Sequence, residues 1–86
     1  MVSVSVVIRS RDEADRLRLT LTSLARQTVP AEVVVVNDGS IDHTATVLEE
    51  AAGWMPLTVI QHEAPRGRSE ASNAGARAAS GDILPP

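Results

Sequence analysis

Two segments rich in β-branched residues, Val2–Ile8 and Val33–Val36, restrict the folds open to this chain of 86 residues. Such runs predict strands that are buried on both faces, as in a parallel sheet. Leu57–Gln61 predicts a third strand and Asp82–Leu84 the start of a fourth. Because helical patterns separate the strands, the order βαβαβαβ predicts an α/β fold, a Rossmann-like open parallel sheet with right-handed crossovers.

The first connection contains an amphipathic helix. Leu17, Leu21 and Leu24 recur at i, i+4 and i+7 and form one apolar stripe. Asp12 is placed to act as the N-cap of this helix. A turn at Thr28–Ala31, with proline in the middle, ends it.

Two further helices are expected, over about Asp42–Ala52 and Ser69–Ala79. Asp42 or Ser40 is the expected N-cap of the second helix and Gly53 its end, while Ser69 is the expected cap of the third. Gly81 is expected to break the third helix. The third helix also carries small residues on one face, which predicts a close approach to the sheet: Ala71, Ala74, Gly75 and Ala78.

Composition excludes several functions. The net charge is -3, all eight basic residues are arginines, and Trp54 is the only aromatic residue, so nucleic-acid binding is not expected. No cysteine is present, and His43 and His62 are isolated, so each is expected at the surface or a sheet edge and no metal site is predicted. No apolar run could cross a bilayer and no secretory pattern is visible. A cytoplasmic location without membrane contact is expected.

Three polar segments follow the three strands: residues 9–13, 38–40 and 66–69. In an open parallel sheet, ligands bind outside the carboxyl ends of the strands, so these segments are expected to converge on one site. Asp38 either accepts donors from a ligand or hydrogen-bonds its own turn. Arg9 and Arg11 form either an anion site or a solvated surface, and Arg66–Ser69 is either a phosphate-cradling or a flexible loop.

The chain resembles the glycosyltransferases of family 2, which have the GT-A fold. The resemblance is carried by the helix end with Gln27-Thr28, by "NDGSIDHT" at residues 37–44, and by "ASNAG" followed by Gly81-Asp82. These elements stand in the family's order and spacing over nearly the whole chain. The resemblance implies the N-terminal half of a GT-A domain that binds a nucleotide-diphospho-sugar.

The resemblance also implies a set of nucleotide-binding residues. Asp38 would contact the base, Arg9 and Arg11 would lie against it, and the loop before the third helix would approach the nucleotide. Arg9 stands where proline is commoner in the family, and Asn37 replaces the first acid of an Asp-Asp pair. The implied nucleotide-binding residues are Arg9, Ser10, Arg11, Glu13, Asp38, Gly39, Ser40 and Arg68.

The family's Asp-x-Asp motif, which binds Mn²⁺ or Mg²⁺ on the sugar diphosphate, is not reached before Pro85-Pro86. Residues 1–86 are therefore expected to be the N-terminal part of the family domain, truncated before that motif. Such a part would bind the donor nucleotide without a metal or catalytic residue of its own, and would self-associate through its open sheet edge. The alternatives are a non-catalytic nucleotide- or protein-binding module and a receiver-like fold, which the lack of any lysine disfavours.

Overall fold

A computed structural model describes residues 4–27, 32–79 and 82–84, the last as backbone. The expected turn at Thr28–Ala31, the helix break at Gly81 and Pro85-Pro86 lie outside the described residues. The expected alternation of strands and helices is confirmed. The elements are β1 (Val4–Ser10), α1 (Ala14–Ala25), β2 (Glu32–Asp38), α2 (Thr44–Ala52), β3 (Thr58–His62), α3 (Arg68–Ala78) and β4 (Asp82–Leu84).

The four strands form one parallel sheet in the order β3-β2-β1-β4. β1 and β2 run one to two residues further than their apolar runs, because the ladder continues through polar partners such as Ser10 opposite Asn37. The chain steps from β1 to β2 to β3 and then returns past β1 to β4. This reversal between β1 and β4 is the topological switch point at which open α/β sheets bind ligands.

The main core lies between the sheet and the pair α1 and α2. Leu17 and Leu21 of α1 and Val47 of α2 pack against Val6 and Val35 of the sheet, and all are buried. The predicted leucine stripe of α1 is thereby confirmed, with Leu24 partly buried at its end. None of the described helices has the length and apolar character needed to cross a membrane.

The opposite face of the sheet is covered by α3, which packs on β1 and β2. A Cβ atom on Gly75 would lie 2.2 Å from Val7 Cγ1 and 3.3 Å from Val36 Cγ2. Ala71 is fully buried in the same contact, whereas Ala78 is exposed. The predicted close approach of small residues is therefore confirmed for the first two turns of α3, and it brings the helix N-terminus to the carboxyl edge of the sheet.

We expect Gly75→Ala to destabilise the protein by about 1–3 kcal/mol, because the added methyl group overpacks α3 against a stiff β-branched valine. The same change in an exposed helix would be favourable by about 1 kcal/mol. Thermal denaturation followed by circular dichroism measures the change. Asn73→Ala, at an exposed position of the same helix, is the control. A higher melting temperature for Gly75→Ala would contradict the packing described for α3.

Candidate nucleotide site at the carboxyl edge of the sheet

The carboxylate of Asp38, at the end of β2, is fully buried and accepts five hydrogen bonds. Arg9 Nε and Nη2 donate to Oδ2 at 3.2 and 3.1 Å. His62 Nδ1 lies 2.9 Å from Oδ1. The backbone N–H groups of Arg66 and Gly67 donate at 2.9 and 3.2 Å. Asp38 thus joins three strands to the loop before α3.

The charge of Asp38 is stabilised by these donors. Burial alone would raise the pKa of the carboxyl group, but the hydrogen bonds from Arg66 N–H, His62, Arg9 and Gly67 N–H outweigh it. The pKa of Asp38 is therefore held far below its ordinary value. The carboxylate also lies near the N-terminus of α3, where the helix dipole favours a negative charge.

The loop Arg66–Ser69 uses its amides inside the protein. The two N–H groups that could cradle a phosphate are directed at Asp38 instead. The expected cap at Ser69 is wrong, since α3 begins at Arg68 with Gly67 as N-cap and without a side-chain cap. The reason is that Asp38, from a distant part of the chain, supplies the acceptor for the amides at this helix entrance.

Gly39 allows this loop to approach β2. Its φ of 71° lies in the left-handed region, and a Cβ atom there would lie 2.4 Å from Pro65 N. Any side chain would therefore push the Ala64-Pro65 backbone away and pull the Arg66 and Gly67 amides off Asp38. Position 39 therefore requires glycine.

Two adjoining clefts open at the carboxyl end of β1. One, of about 350 Å³, lies against α1 and has Ser10 and Thr20 in its wall, and the other, of about 320 Å³, reaches α3 at Arg68 and Ser72. Arg9, Glu13 and Arg16 line both clefts. Of the predicted residues, Arg9, Ser10, Glu13 and Arg68 are thus brought to one place, which is rich in guanidinium groups.

Ser10 carries a buried hydroxyl at the wall of the first cleft. The residue is 3% exposed, and its Oγ has no hydrogen-bond partner within the part of the chain that the structure describes. Buried polar groups are nearly always satisfied by protein or by ordered water. The Ser10 hydroxyl therefore has hydrogen-bonding capacity that the described residues do not use.

A second carboxylate network, formed by Asp12 and Asp42, joins the loop after β1 to the loop after β2. Asp12 Oδ1 accepts from Ile41 N and Asp42 N at 2.7 and 3.3 Å, ahead of α2. Asp42 accepts in return from Ala14 N, the first residue of α1, at 3.1 Å, and from the Thr44 amide and hydroxyl. The hydrogen bond from the Thr44 hydroxyl, with smaller contributions from the Thr44 and Ala14 amides, lowers the pKa of Asp42 despite the opposing effect of desolvation.

The expected N-caps, Asp12 for α1 and Asp42 or Ser40 for α2, are therefore wrong, because Glu13 and His43 occupy these positions. Asp42 still accepts from the Thr44 amide at the start of α2. Asp12 has a φ of 53°, which turns its side chain away from α1 and toward the loop before α2. Asp42 thus accepts from the first amides of both α1 and α2, while Asp12 accepts from two amides of the loop before α2. Ser40 ties the loops together, since its Oγ accepts from Asp12 N at 3.0 Å and donates to Ser10 O at 3.4 Å.

Some site residues escaped prediction. His62 lies on β3, the edge strand of the described sheet, so of the two expected places the sheet edge is confirmed. The surface alternative is wrong, because the side chain is buried against Asp38, directly opposite in the β2–β3 ladder. His43 is exposed and pairs with Asp15 at 3.2 Å, as expected of a surface histidine. Arg16, absent from the predicted set, lies one helical turn from Glu13 and lines both clefts. Arg11, which was in that set, is exposed on the turn after β1.

Comparison with known proteins agrees with this geometry. The family model described as Glycosyl transferase family 2 matches residues 5–84. The chain belongs to glycosyltransferase family 2. Among curated members, the glycosyltransferase YibD of Escherichia coli K12 is 34% identical over 82 residues, which are 94% of this chain and 24% of YibD. The 4,4'-diaponeurosporenoate glycosyltransferase of Staphylococcus aureus RF122 is 44% identical over 45 residues, which are 52% of this chain and 12% of that protein.

Solved structures give the same result for the fold. The mannosyltransferase PcManGT of Pyrobaculum calidifontis, in complex with GDP-Man and Mn²⁺, superimposes with a TM-score of 0.85 at 29% identity. The match covers 93% of this chain and 25% of PcManGT. S. aureus TarS 1-349 in complex with UDP-GlcNAc also gives 0.85 at 30% identity, over 98% of this chain and 26% of that one. The chain therefore spans about a quarter of the length of these two proteins.

We expect Asp38→Asn to lower the free energy of unfolding at pH 7 by about 3 kcal/mol, because it leaves Arg9 and His62 beside a neutral amide. Since the folded-state pKa of Asp38 is lowered, its contribution is complete above about pH 4 and is lost as the pH falls further. Urea denaturation at several pH values measures both effects. Asp38→Asn should reduce the acid slope, whereas the exposed control Asp15→Asn should keep it. An unchanged slope in Asp38→Asn would contradict this assignment.

We expect Asp12→Ala to cost about 1 kcal/mol of stability, as for the loss of a helix cap, because the Ile41 and Asp42 amides lose their acceptor. Asp12→Asn keeps an acceptor oxygen and tolerates the left-handed backbone, so it should change stability by only a few tenths of a kcal/mol. Thermal denaturation of both variants measures the difference. Equal losses in the two variants would show that charge rather than hydrogen bonding is what Asp12 contributes.

Proposed function

We propose that this chain forms the donor-nucleotide half-site of a nucleotide-diphospho-sugar-dependent glycosyltransferase. The observation that carries the proposal is the pair of arginine-lined clefts at the carboxyl end of β1, where the strand order reverses. Arginine binds phosphate groups well because its planar group offers paired donors. The residues proposed to form the nucleotide site, by contact or by supporting it, remain Arg9, Ser10, Arg11, Glu13, Asp38, Gly39, Ser40 and Arg68.

The roles of these residues differ. Arg9, Ser10 and Arg68 border the clefts and are proposed to contact the nucleotide. The Ser10 hydroxyl has no hydrogen-bond partner among the described residues. Asp38 and Gly39 lie beneath this surface and fix it. Complexes of PcManGT with GDP-Man and of TarS with UDP and UDP-GlcNAc support a nucleotide-sugar ligand for the family part shared with this chain.

The remaining chemistry is assigned to other parts of a longer enzyme. PcManGT carries Mn²⁺, but the described residues of this chain contain no group of three His, Cys, Asp or Glu side chains that could hold a metal. The described side chains therefore do not fit the ion. We propose binding, and no sugar transfer, for the chain by itself, with the metal and the acceptor site in the parent enzyme.

A two-dimensional amide NMR titration tests the proposal. We expect UDP-, GDP- or TDP-sugars to shift resonances of residues 9–13, 38–40 and 66–69, with or without manganese. Arg68→Gln should weaken binding about tenfold, as for the loss of a charge-assisted phosphate contact. Arg77→Gln, in the exposed last turn of the same helix, is the matched control. A dispersed spectrum that no nucleotide sugar changes would overturn the proposal and favour a non-catalytic interaction module.

A further inference from the structure

The guanidinium group of Arg9 uses only one of its two paired N–H edges on Asp38. Nε and Nη2 form the side-on edge, and both donate to Asp38 Oδ2. The end-on edge, formed by Nη1 and the second N–H of Nη2, points in a different direction because the group is planar and rigid. The Arg9 side chain is 21% exposed and lines both clefts, so it lies at the surface that a ligand would contact.

Asp38 itself has no acceptor capacity left for a ligand. A carboxylate offers about four lone-pair sites, and here five donors from the chain occupy them. Three of these donors are on strands and two are backbone amides of the α3 loop. A ligand N–H could reach Asp38 only by displacing Arg9, which would leave a buried charge with fewer partners.

The nucleobases differ in what they offer to a paired donor. Guanine presents two neighbouring acceptors, O6 and N7, to which arginine binds with both N–H groups. Cytosine likewise has O2 next to the unprotonated N3. Uracil and thymine place a ring N–H between their two carbonyl oxygens, so a paired donor finds one acceptor and meets one donor.

We infer that Arg9 determines the base specificity of the site, by remaining on Asp38 and offering its end-on edge to a guanine or cytosine nucleotide in preference to a uracil or thymine nucleotide. This inference rests on the proposed function, since it assumes that a nucleotide binds at the clefts. Arg9 acts as a donor that covers the acidic group, so the site selects for base acceptors rather than base N–H groups. The fold leaves this choice open, because neighbours of equal TM-score carry GDP-Man in one case and UDP in another.

Isothermal titration of the chain with GDP, CDP, UDP and TDP, at one salt concentration, tests the inference. We expect GDP or CDP to bind at least about tenfold more tightly than UDP and TDP, the discrimination typical of one paired arginine contact. Arg9→Thr and Arg9→Lys should both bring the ratio to within about twofold, because neither side chain offers a paired edge. Because Arg9→Lys keeps a cation beside Asp38, the ratio can still be measured on this variant if Arg9→Thr does not fold.

Arg18→Gln is the control, because Arg18 is a half-exposed residue of α1 whose partner is Glu50, and it should leave the ratio unchanged. Pyrophosphate is the probe for a purely ionic role. If the Arg9 variants weaken the binding of pyrophosphate and of all four nucleotides by the same factor, Arg9 is a phosphate contact and the inference is overturned. Two results would overturn the inference while the proposed function stands. The first is tighter binding of UDP or TDP by the unmodified chain, and the second is an affinity ratio between the nucleotides that stays unchanged in both Arg9 variants. Binding of no nucleotide would overturn both.

Discussion

The buried carboxylate of Asp38 is the interaction on which the carboxyl edge of the sheet depends. An ionised carboxylate removed from water is tolerated only when donors replace its hydration, and here these donors come from β1, β3 and the loop before α3. Each donor is therefore held in place by the need to satisfy the charge. Because Arg9 and the start of α3 border the clefts, the same requirement positions the groups that face a ligand.

Close packing and a second carboxylate network complete this edge. Gly39 lets the Ala64-Pro65 backbone come near enough for the loop amides to reach Asp38, and Gly75 lets α3 lie directly on the sheet. Asp42 accepts from the first amide of α1, and Asp12 accepts from an amide of the loop before α2. Side chains held by packing and by such hydrogen bonds present a preorganised surface, which lowers the cost of ordering a site when a ligand binds.

Two departures from the family pattern, Arg9 and Asn37, are explained by the hydrogen bonds that these residues form. Arg9 stands where proline is commoner, and a proline could not donate to Asp38; the arginine both neutralises the acid and covers it. Asn37, in place of an acid, joins β2 to β3 through Gln61 at 3.0 Å and accepts from Ser40 N at 3.3 Å. The shared fold thus brings the same positions together, while individual side chains decide what they offer to a nucleotide.

The order of strands and helices, the leucine stripe of α1, the small face of α3 and the convergence of three polar segments followed from the sequence, because periodicity and β-branched runs are local properties. The hydrogen-bond partners of these residues could not be predicted in this way. Asp12 and Ser69 stand where a local helix cap is expected, and His62 stands at a sheet edge. The acceptors at these positions are instead Asp42, for the start of α1, and Asp38, for His62 and the loop before α3, and both lie more than twenty residues away in the sequence. The β2–β3 register and the left-handed turns at Asp12 and Gly39 create those contacts. Only the folded chain could therefore reveal that Asp38 is enclosed by its own protein and that Arg9, which covers it, lines both clefts.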